Sequence, residues 1–157
     1  MCIRDRVPRV GGFEGGTVTW APTNITYGHN NRSAQFRLPQ NRYCIENRAA
    51  DMTMNVYLAF SMTLSAAVEG IKNKIHPGKP TDQDLYDMTD SEFKKLGIKR
   101  LPRNLLMAIE ALKKDNLSEE VIGSVMKKSL LAYKNDEWER YHQAVTDWEV
   151  KEYLRLY

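Results

Sequence analysis

The chain has 157 residues, a formal net charge of +3 and 42% hydrophobic residues. This composition is ordinary for a globular protein, and it excludes a disordered chain, a collagen-like repeat and a small disulfide-stapled scaffold. The two cysteines, Cys2 and Cys44, are too few for a disulfide framework or a metal cage, and they indicate a reducing compartment. We therefore expect a cytoplasmic protein.

The first six residues do not look native. Residues 1–6, Met-Cys-Ile-Arg-Asp-Arg, lack the apolar stretch of a signal peptide. They resemble a translated adapter sequence, so we expect the protein's own sequence to begin near Val7, in the middle of a domain. Residues 1–6 are accordingly left out of the fold prediction.

A glycine-rich segment and three candidate strands follow. Four glycines surround Phe13-Glu14 in residues 11–16 and predict a flexible loop. Residues 17–27 are rich in β-forming side chains, with a break at Pro22, and a turn is expected over residues 27–31. Residues 34–38 alternate between apolar and polar side chains, and residues 43–48 predict a third strand, so we expect these two to form an antiparallel pair.

From residue 56 onward, apolar residues recur at the spacing typical of helices. Residues 56–75 predict a long helix, whose uncharged stretch of thirteen residues is shorter than the about 20 that a membrane span needs, so we expect a buried helix. Capping boxes at Thr89–Glu92 and Thr146–Glu149 predict two short helices. Apolar spacing predicts a helix after Pro102 and a longer one over residues 121–141. Strands followed by helices indicate an α+β fold, with antiparallel strands before a helical C-terminal half.

Four arginines mark a candidate anion site. Arg32, Arg37, Arg42 and Arg48 lie within seventeen residues, and Glu46 is the acidic residue among them. Guanidinium groups bind phosphate and carboxylate, whereas a glutamate can bind a hard cation such as Mg²⁺. Such a set suits activation of a carboxylic acid by ATP; a cross-strand salt bridge is the alternative. Nucleic acid is not expected, because the net charge is modest and no recognition motif is present.

Several short motifs occur in a specific order. They are Asn31-Arg32-Ser33-Ala34, Phe36-Arg37-Leu38-Pro39, Glu46-Asn47-Arg48, Asn55-x-Tyr57-Leu58-Ala59 and Gly70-Ile71-Lys72-Asn73-Lys74-Ile75-His76-Pro77-Gly78. This ordered set resembles the C-terminal part of the catalytic domain of the glutamine synthetases, over residues 7–157. The sequence Glu46-Asn47-Arg48-Ala49 and the pair Trp148-Glu149 near the C-terminus are more similar to the type III branch, which includes glutamate–methylamine ligases. The resemblance implies that an N-terminal domain and the first part of the catalytic domain precede this chain.

The resemblance also implies roles for individual residues. Arg32 and Arg37 match arginines that bind the nucleotide phosphates and stabilise the transferred phosphoryl group. Glu46 matches a ligand of Mg²⁺ or Mn²⁺, and Arg48 matches the arginine that holds the γ-carboxylate of glutamate. Glu14 resembles the flap glutamate that accepts a proton from bound ammonium, with an exposed loop charge as the alternative. The implied reaction uses ATP to phosphorylate glutamate, and ammonia or a small primary amine then displaces the phosphate.

The chain departs from the family pattern at two informative places. Cys44 stands where the family has a phosphate-binding arginine, and Arg42 is the residue that could reach in instead. Tyr86 lies in a segment similar to the loop whose tyrosine some bacterial members adenylylate; an ordinary loop tyrosine is the alternative. A second possibility for the function is a catalytically silent homologue that binds metabolites as a regulator, and a third is an unrelated basic binding module.

The resemblance implies an assembly as well. Family active sites form between neighbouring subunits of stacked rings, so we expect a homo-oligomer that is not bound to a membrane. Because the implied metal ligands and part of the substrate site precede this chain, we expect the isolated 157-residue chain to be inactive.

Overall fold

The computed structural model describes residues 21–154 and Leu156. Residues 1–6 and the glycine-rich segment with Glu14 lie outside the described residues, so the predictions made for them stay predictions. The chain divides into two compact units, Met1–Asn104 and Leu105–Tyr157. The described part of the first unit contains four strands and two helices, and that of the second unit contains helices alone, which confirms the α+β class.

The first unit is built on a four-stranded sheet. Its strands are β1 Asn24–His29, β2 Ala34–Leu38, β3 Glu46–Asn47 and β4 Lys99–Arg100, in the spatial order β3-β2-β1-β4. The predicted antiparallel pairing of the second and third strands is confirmed between β2 and β3. β1 extends to His29, so the predicted turn over residues 27–31 is wrong in its position: the chain turns only after that residue.

β1 and β2 pair in parallel, which the sequence pattern did not predict, because short connections normally join antiparallel strands. The reversal begins at Asn30, whose φ of 56° is left-handed, a conformation that asparagine tolerates better than most residues. Residues 30–33 then run back beside β1, so that Ala34 pairs with Asn24. The backbone N–H of Asn30 donates to the Leu38 carbonyl at 2.9 Å and closes the end of the pair.

A later segment of the first unit packs against β1. The backbone N–H of Thr81 donates to the Tyr27 carbonyl at 2.8 Å. A Cβ added at Gly28 would lie 2.2 Å from the Thr81 carbonyl oxygen, so this close approach requires glycine. The small core of the unit lies nearby and consists of Ala34, Leu85 and Phe93, with Met88 and Ile98 packed against them.

The first helix, α1 Val56–Lys72, is present as predicted but is not buried. The side chain of Asn55 accepts hydrogen bonds from the first turn and caps the helix. No residue of α1 is buried, and Tyr57 and Phe60 are 81% and 62% exposed. The prediction of a buried helix is therefore wrong for this structure, in which residues such as Leu58 and Met62 are only half-buried. No helix in the described ranges is long and apolar enough to cross a bilayer.

The second helix, α2 Asp90–Leu96, confirms one of the predicted capping boxes. The Thr89 hydroxyl accepts from the backbone N–H of Glu92, while the Glu92 carboxylate accepts from the Thr89 backbone. The helix ends at Gly97, whose φ of 67° is left-handed, a C-terminal geometry that favours glycine.

The second unit consists of four helices. They are α3 Leu105–Lys114, α4 Asn116–Ile122, α5 Ser124–Gln143 and α6 Asp147–Tyr153. The helix predicted after Pro102 is α3, and Leu105 and Ile109 on it are buried. The longer helix predicted over residues 121–141 is confirmed as α5, except at its start: Gly123, with a φ of 79°, separates α5 from α4, to which Val121 belongs. The capping box predicted at Thr146 is confirmed at the start of α6.

Candidate anion-binding site

Arg37 and Glu46 face each other across the β2–β3 pair, where their Cα atoms are direct partners. Side chains at directly opposite positions of an antiparallel pair lie within contact distance. The Arg37 guanidinium donates from Nη1 to both Glu46 carboxylate oxygens, at 3.1 and 3.0 Å. Its Nη2 donates to the Asn30 amide oxygen. Arg37 is therefore held from two sides, with its side chain 16% exposed.

Arg48 joins the same group from the residue after β3. Its Nη1 lies 3.9 Å from Glu46 Oε2, and its Nε donates to the Arg32 carbonyl at 2.9 Å. The backbone N–H of Arg48 donates to the Gln35 carbonyl at 2.8 Å. The structure thus brings Arg48 to Glu46, and it brings the backbone of Arg32 to Arg48.

Arg42 reaches the group from outside the sheet. It lies in the exposed loop of residues 40–45 and donates from Nη2 to Glu46 Oε1. Its side chain is 61% exposed. Cys44 of the same loop is free and exposed, and the pKa of Arg42 is raised first by its hydrogen bond to Glu46 and then by the nearby Cys44. The structure therefore brings Arg42 into contact with the candidate site, as the sequence suggested it could be.

The cluster, defined as Arg37, Arg42, Glu46 and Arg48, carries a surplus of positive charge. Three guanidinium groups surround one carboxylate, which leaves a net charge of +2. Hydrogen bonds from Arg37 and then from Arg42 hold the pKa of Glu46 below its usual range. The hydrogen bond to Glu46 in turn raises the pKa of Arg42. Glu46 is therefore ionised at neutral pH, and because arginine side chains keep their charge in proteins, the surplus of positive charge attracts an anion.

The salt bridge that the sequence left as an alternative is present. It joins Glu46 to Arg37, Arg42 and Arg48, so that within these four side chains positive charge exceeds negative charge. The Nε of Arg37 is also buried, and no described residue accepts its hydrogen. A buried donor without an acceptor is uncommon, and it is often associated with a functional site.

Asn31 fixes the turn that carries Arg32. The Asn31 side chain is buried, and its Oδ1 accepts from the backbone N–H of Ser33 at 2.9 Å and from the Ser33 hydroxyl at 2.7 Å. Its Nδ2 donates to the carbonyls of Thr81 and Gln83 at 2.7 and 2.9 Å. The amide thus makes four hydrogen bonds, so the turn has little freedom to move.

Ser33 completes this attachment. Its buried hydroxyl accepts from the backbone N–H of Leu85 at 3.0 Å, which ties the turn to the hydrophobic core. The structural roles of Asn31 and Ser33 were not predicted from the sequence. An asparagine followed by serine two places later, before a strand, is the pattern of an Asx turn and could have indicated this local structure.

Glu46 is the candidate metal ligand. No group of three or more His, Cys, Asp or Glu side chains converges in the part of the chain that the structure describes, so this part does not form a metal cage. Mg²⁺ can instead be held by one or two carboxylates together with phosphate oxygens and water. A carboxylate beside three guanidinium groups has the chemistry of such a metal–phosphate pair, in which the arginines contact the phosphate.

Two predicted residues remain, Tyr86 and Glu14. The Tyr86 hydroxyl donates to the Ala21 carbonyl at 2.5 Å, and burial, followed by the nearby Asp84 carboxylate, raises its pKa. Modification of Tyr86 would have to break that hydrogen bond. Glu14, the predicted proton acceptor, lies outside the described residues.

The sequence matches the family model described as glutamine synthetase, catalytic domain, over residues 16–153. A glutamate–methylamine ligase from Methyloversatilis universalis is 40% identical over 139 residues, which cover 88% of this chain and 31% of that protein. A glutamine synthetase from Methanocaldococcus jannaschii is 39% identical over 137 residues, which cover 85% of this chain and 30% of that protein.

Solved structures agree with these matches. A GmaS chain in complex with ADP superimposes with a TM-score of 0.77 and 30% identity, over 98% of this chain and 35% of the other. GmaS without ligand superimposes with a TM-score of 0.71 and 33% identity, over 85% of this chain and 30% of the other. The chain thus spans about a third of the length of the relatives it matches.

Proposed function

The chain belongs to the glutamine synthetase family, and we propose that the full-length protein containing it is an ATP-dependent glutamate ligase. The protein would join the γ-carboxyl group of glutamate to ammonia or to a small primary amine. Because the chain spans 31% of its glutamate–methylamine ligase relative, the proposal concerns the full-length protein. The observation that carries it is the cluster itself: one carboxylate in contact with three guanidinium groups.

The physical problem in this reaction is electrostatic repulsion. The γ-carboxylate of glutamate must approach the γ-phosphate of ATP, and both groups are anions whose repulsion grows as they approach. Fixed guanidinium groups offset this repulsion, and they stabilise the charge that spreads over the phosphoryl oxygens during transfer. The net charge of +2 on the cluster matches this requirement.

Each residue has a part in the proposed reaction. Arg32 and Arg37 bind phosphate oxygens and stabilise the phosphoryl group in transfer. Arg48 holds the substrate γ-carboxylate through its planar fork of donors. Glu46 would hold Mg²⁺ or Mn²⁺, which supplies further neutralisation of the phosphate charge when bound. Glu14 accepts the proton that the amine nucleophile loses, in a glycine-rich loop suited to exclude water.

The experiment that tests this proposal is glutamate-dependent release of ADP by the full-length protein. We expect release with ammonium or with methylamine, and the faster of the two identifies the acceptor. The relatives include a glutamate–methylamine ligase and glutamine synthetases, so methylamine and ammonium are compared at equal concentration. No release with glutamate and either amine would contradict the proposal. The isolated 157-residue chain serves as the negative control, because we expect it to be inactive.

A catalytically silent regulator is the second candidate, and one specific observation favours it. Cys44, an exposed free cysteine, stands beside the cluster where the family resemblance implies an arginine. A regulator would bind Mg-ADP without turnover, whereas the ligase would bind it and release ADP from ATP in the presence of glutamate. We also propose that the protein is a cytoplasmic homo-oligomer, which the two cysteines and the family resemblance support.

A further inference from the structure

Arg42 differs from the other two arginines of the cluster in how it is held. Arg37 contacts Asn30 as well as Glu46, and Arg48 contacts the Arg32 carbonyl as well as Glu46. The side chains of Arg37 and Arg48 are 16% and 22% exposed. The Arg42 side chain is 61% exposed and extends from a loop in which every residue from 40 to 45 is exposed.

The Arg42 contact is the one that can be exchanged at low cost. An ion pair with one exposed member contributes little to stability, because water screens it and both side chains lose freedom in forming it. Glu46 Oε1 accepts from Arg37 and from Arg42 together, so the carboxylate keeps a guanidinium partner when Arg42 leaves. Breaking the Arg42 contact thus leaves no buried charge unpaired.

A phosphate group is a better partner for Arg42 than Glu46 is. A phosphate oxyanion carries more charge than a carboxylate, so at equal distance it attracts a guanidinium more strongly. Departure of Arg42 also removes one of the two guanidinium donors to Glu46 Oε1, so that this oxygen, with Arg37 as its remaining donor, is more accessible to a cation. One movement of Arg42 therefore serves both the anion and the carboxylate.

We propose that Arg42 is a mobile anion-binding residue: its guanidinium leaves Glu46 and contacts a phosphate oxygen when a phosphate-bearing nucleotide binds. The inference rests on the proposed function for the identity of the ligand. Arg37 and Arg48 remain in place as the fixed part of the site, and Arg42 closes on the ligand from the 40–45 loop. The site thus contains one adjustable guanidinium beside two fixed ones.

The test compares Arg42→Gln with Arg140→Gln in the full-length protein. Arg140 is a matched control, since it is 65% exposed and pairs with Asp136 four positions away, as Arg42 pairs with Glu46. Binding of Mg-ADP and of adenosine is measured by calorimetry at fixed salt. We expect Arg42→Gln to weaken Mg-ADP about tenfold or more, the loss of one charge-assisted hydrogen bond, and to leave adenosine unchanged. We expect Arg140→Gln to change neither affinity.

Two further variants distinguish loss of the phosphate contact from damage to the fold. Arg42→Lys keeps the charge, and we expect it to recover part of the Mg-ADP affinity. Adding Cys44→Arg to Arg42→Gln returns a guanidinium to the same loop two residues away, and we expect recovery there as well. Unchanged Mg-ADP affinity in Arg42→Gln would overturn the inference. An equal loss of Mg-ADP and adenosine affinity would also overturn it, because that pattern indicates structural damage.

The outcomes for the function and for the inference are distinguishable. A wild-type protein that binds Mg-ADP but releases no ADP with glutamate and either amine contradicts the ligase, while the variants still decide the role of Arg42. A wild-type protein that binds neither Mg-ADP nor inorganic pyrophosphate overturns both.

Discussion

Two parts of the candidate site are built in opposite ways. The turn of residues 30–33 is held by the buried amide of Asn31, which makes four hydrogen bonds. The loop of residues 40–45 is exposed along its whole length, and Arg42 extends from it to Glu46. The turn brings the Arg32 carbonyl to Arg48 and the loop brings Arg42 to Glu46, but of the two only the turn is tied to the core, through Ser33.

This difference in attachment indicates which contacts of the site are fixed and which are adjustable. Moving the turn would leave the buried polar groups of Asn31 and Ser33 without their hydrogen-bond partners, and that penalty is large compared with the strength of one contact. Moving Arg42 breaks an exposed ion pair, which costs little. We propose that the turn and β2 set the position of the bound anion, and that the loop adapts to it.

The largest effect is expected from Arg37→Gln, which removes a guanidinium of the fixed part. Removal of an arginine that stabilises a transferred phosphoryl group reduces kcat by about 10³-fold or more. We expect a loss of this size in glutamate-dependent ADP release by the full-length protein, with Arg140→Gln active. A loss below about tenfold would show that Arg37 does not act on the phosphoryl group.

Asn31→Ala tests the attachment of the turn. The substitution leaves a buried Ser33 N–H and two carbonyls without their partners, so we expect a loss of about 2–4 kcal/mol in the free energy of unfolding. Urea unfolding of the full-length protein measures it, and hydrogen exchange at Thr81 and Leu85 shows whether the loss is local. Asn135→Ala, which removes one bond to a carbonyl of its own helix, is the control. Equal effects of the two variants would refute the special role of Asn31.

Gly28→Ala tests the same attachment by steric means. The new Cβ would lie 2.2 Å from the Thr81 carbonyl oxygen, so the segment has to shift. We expect a loss of about 1–3 kcal/mol, as for an overpacked core. Gly70→Ala has nothing within 4 Å and lies within α1, so we expect a gain of about 0.5–1 kcal/mol there. A Gly28→Ala protein as stable as wild type would mean that the segment is not held against β1.

The smallest effect is expected from acid on the ion pairs of Glu46 with Arg37 and Arg42. The folded pKa of Glu46 is lowered by Arg37 and Arg42, so its contribution to stability is complete above the unfolded pKa of about 4.3 and is lost as pH falls through the folded pKa. We expect Glu46→Gln to have a shallower decrease of Tm between neutral pH and about pH 3 than wild type. A decrease of the same depth in both proteins would contradict the ion pairing of Glu46.

Local signals predicted much of the fold. Both capping boxes, the apolar face of α3 and the antiparallel β2–β3 pair depend on residues close in the sequence, and the structure confirms them. The parallel pairing of β1 and β2 could not be predicted in this way. It depends on Asn30 in a left-handed conformation and on hydrogen bonds from Asn31 to a segment 50 residues later.

In the candidate site, too, features set by residues close in sequence were predicted, and features set by distant residues were not. Clustered arginines around Glu46 predicted an anion site, and the structure brings Arg37, Arg42 and Arg48 to that carboxylate. The attachment of the turn through Asn31 and Ser33 was missed, because its partners are distant in sequence. The apolar run in α1 predicted burial wrongly, since such a pattern indicates a face that can be covered but not what covers it.

The most direct test of the fixed and adjustable parts is a structure of the full-length protein with Mg²⁺ and a non-hydrolysable ATP analogue. We expect the Arg42 guanidinium to have left Glu46 for a phosphate oxygen, while Asn31 keeps its hydrogen bonds to the carbonyls of Thr81 and Gln83. A structure in which Arg42 still contacts Glu46, or in which the turn of residues 30–33 has moved instead, would contradict this account.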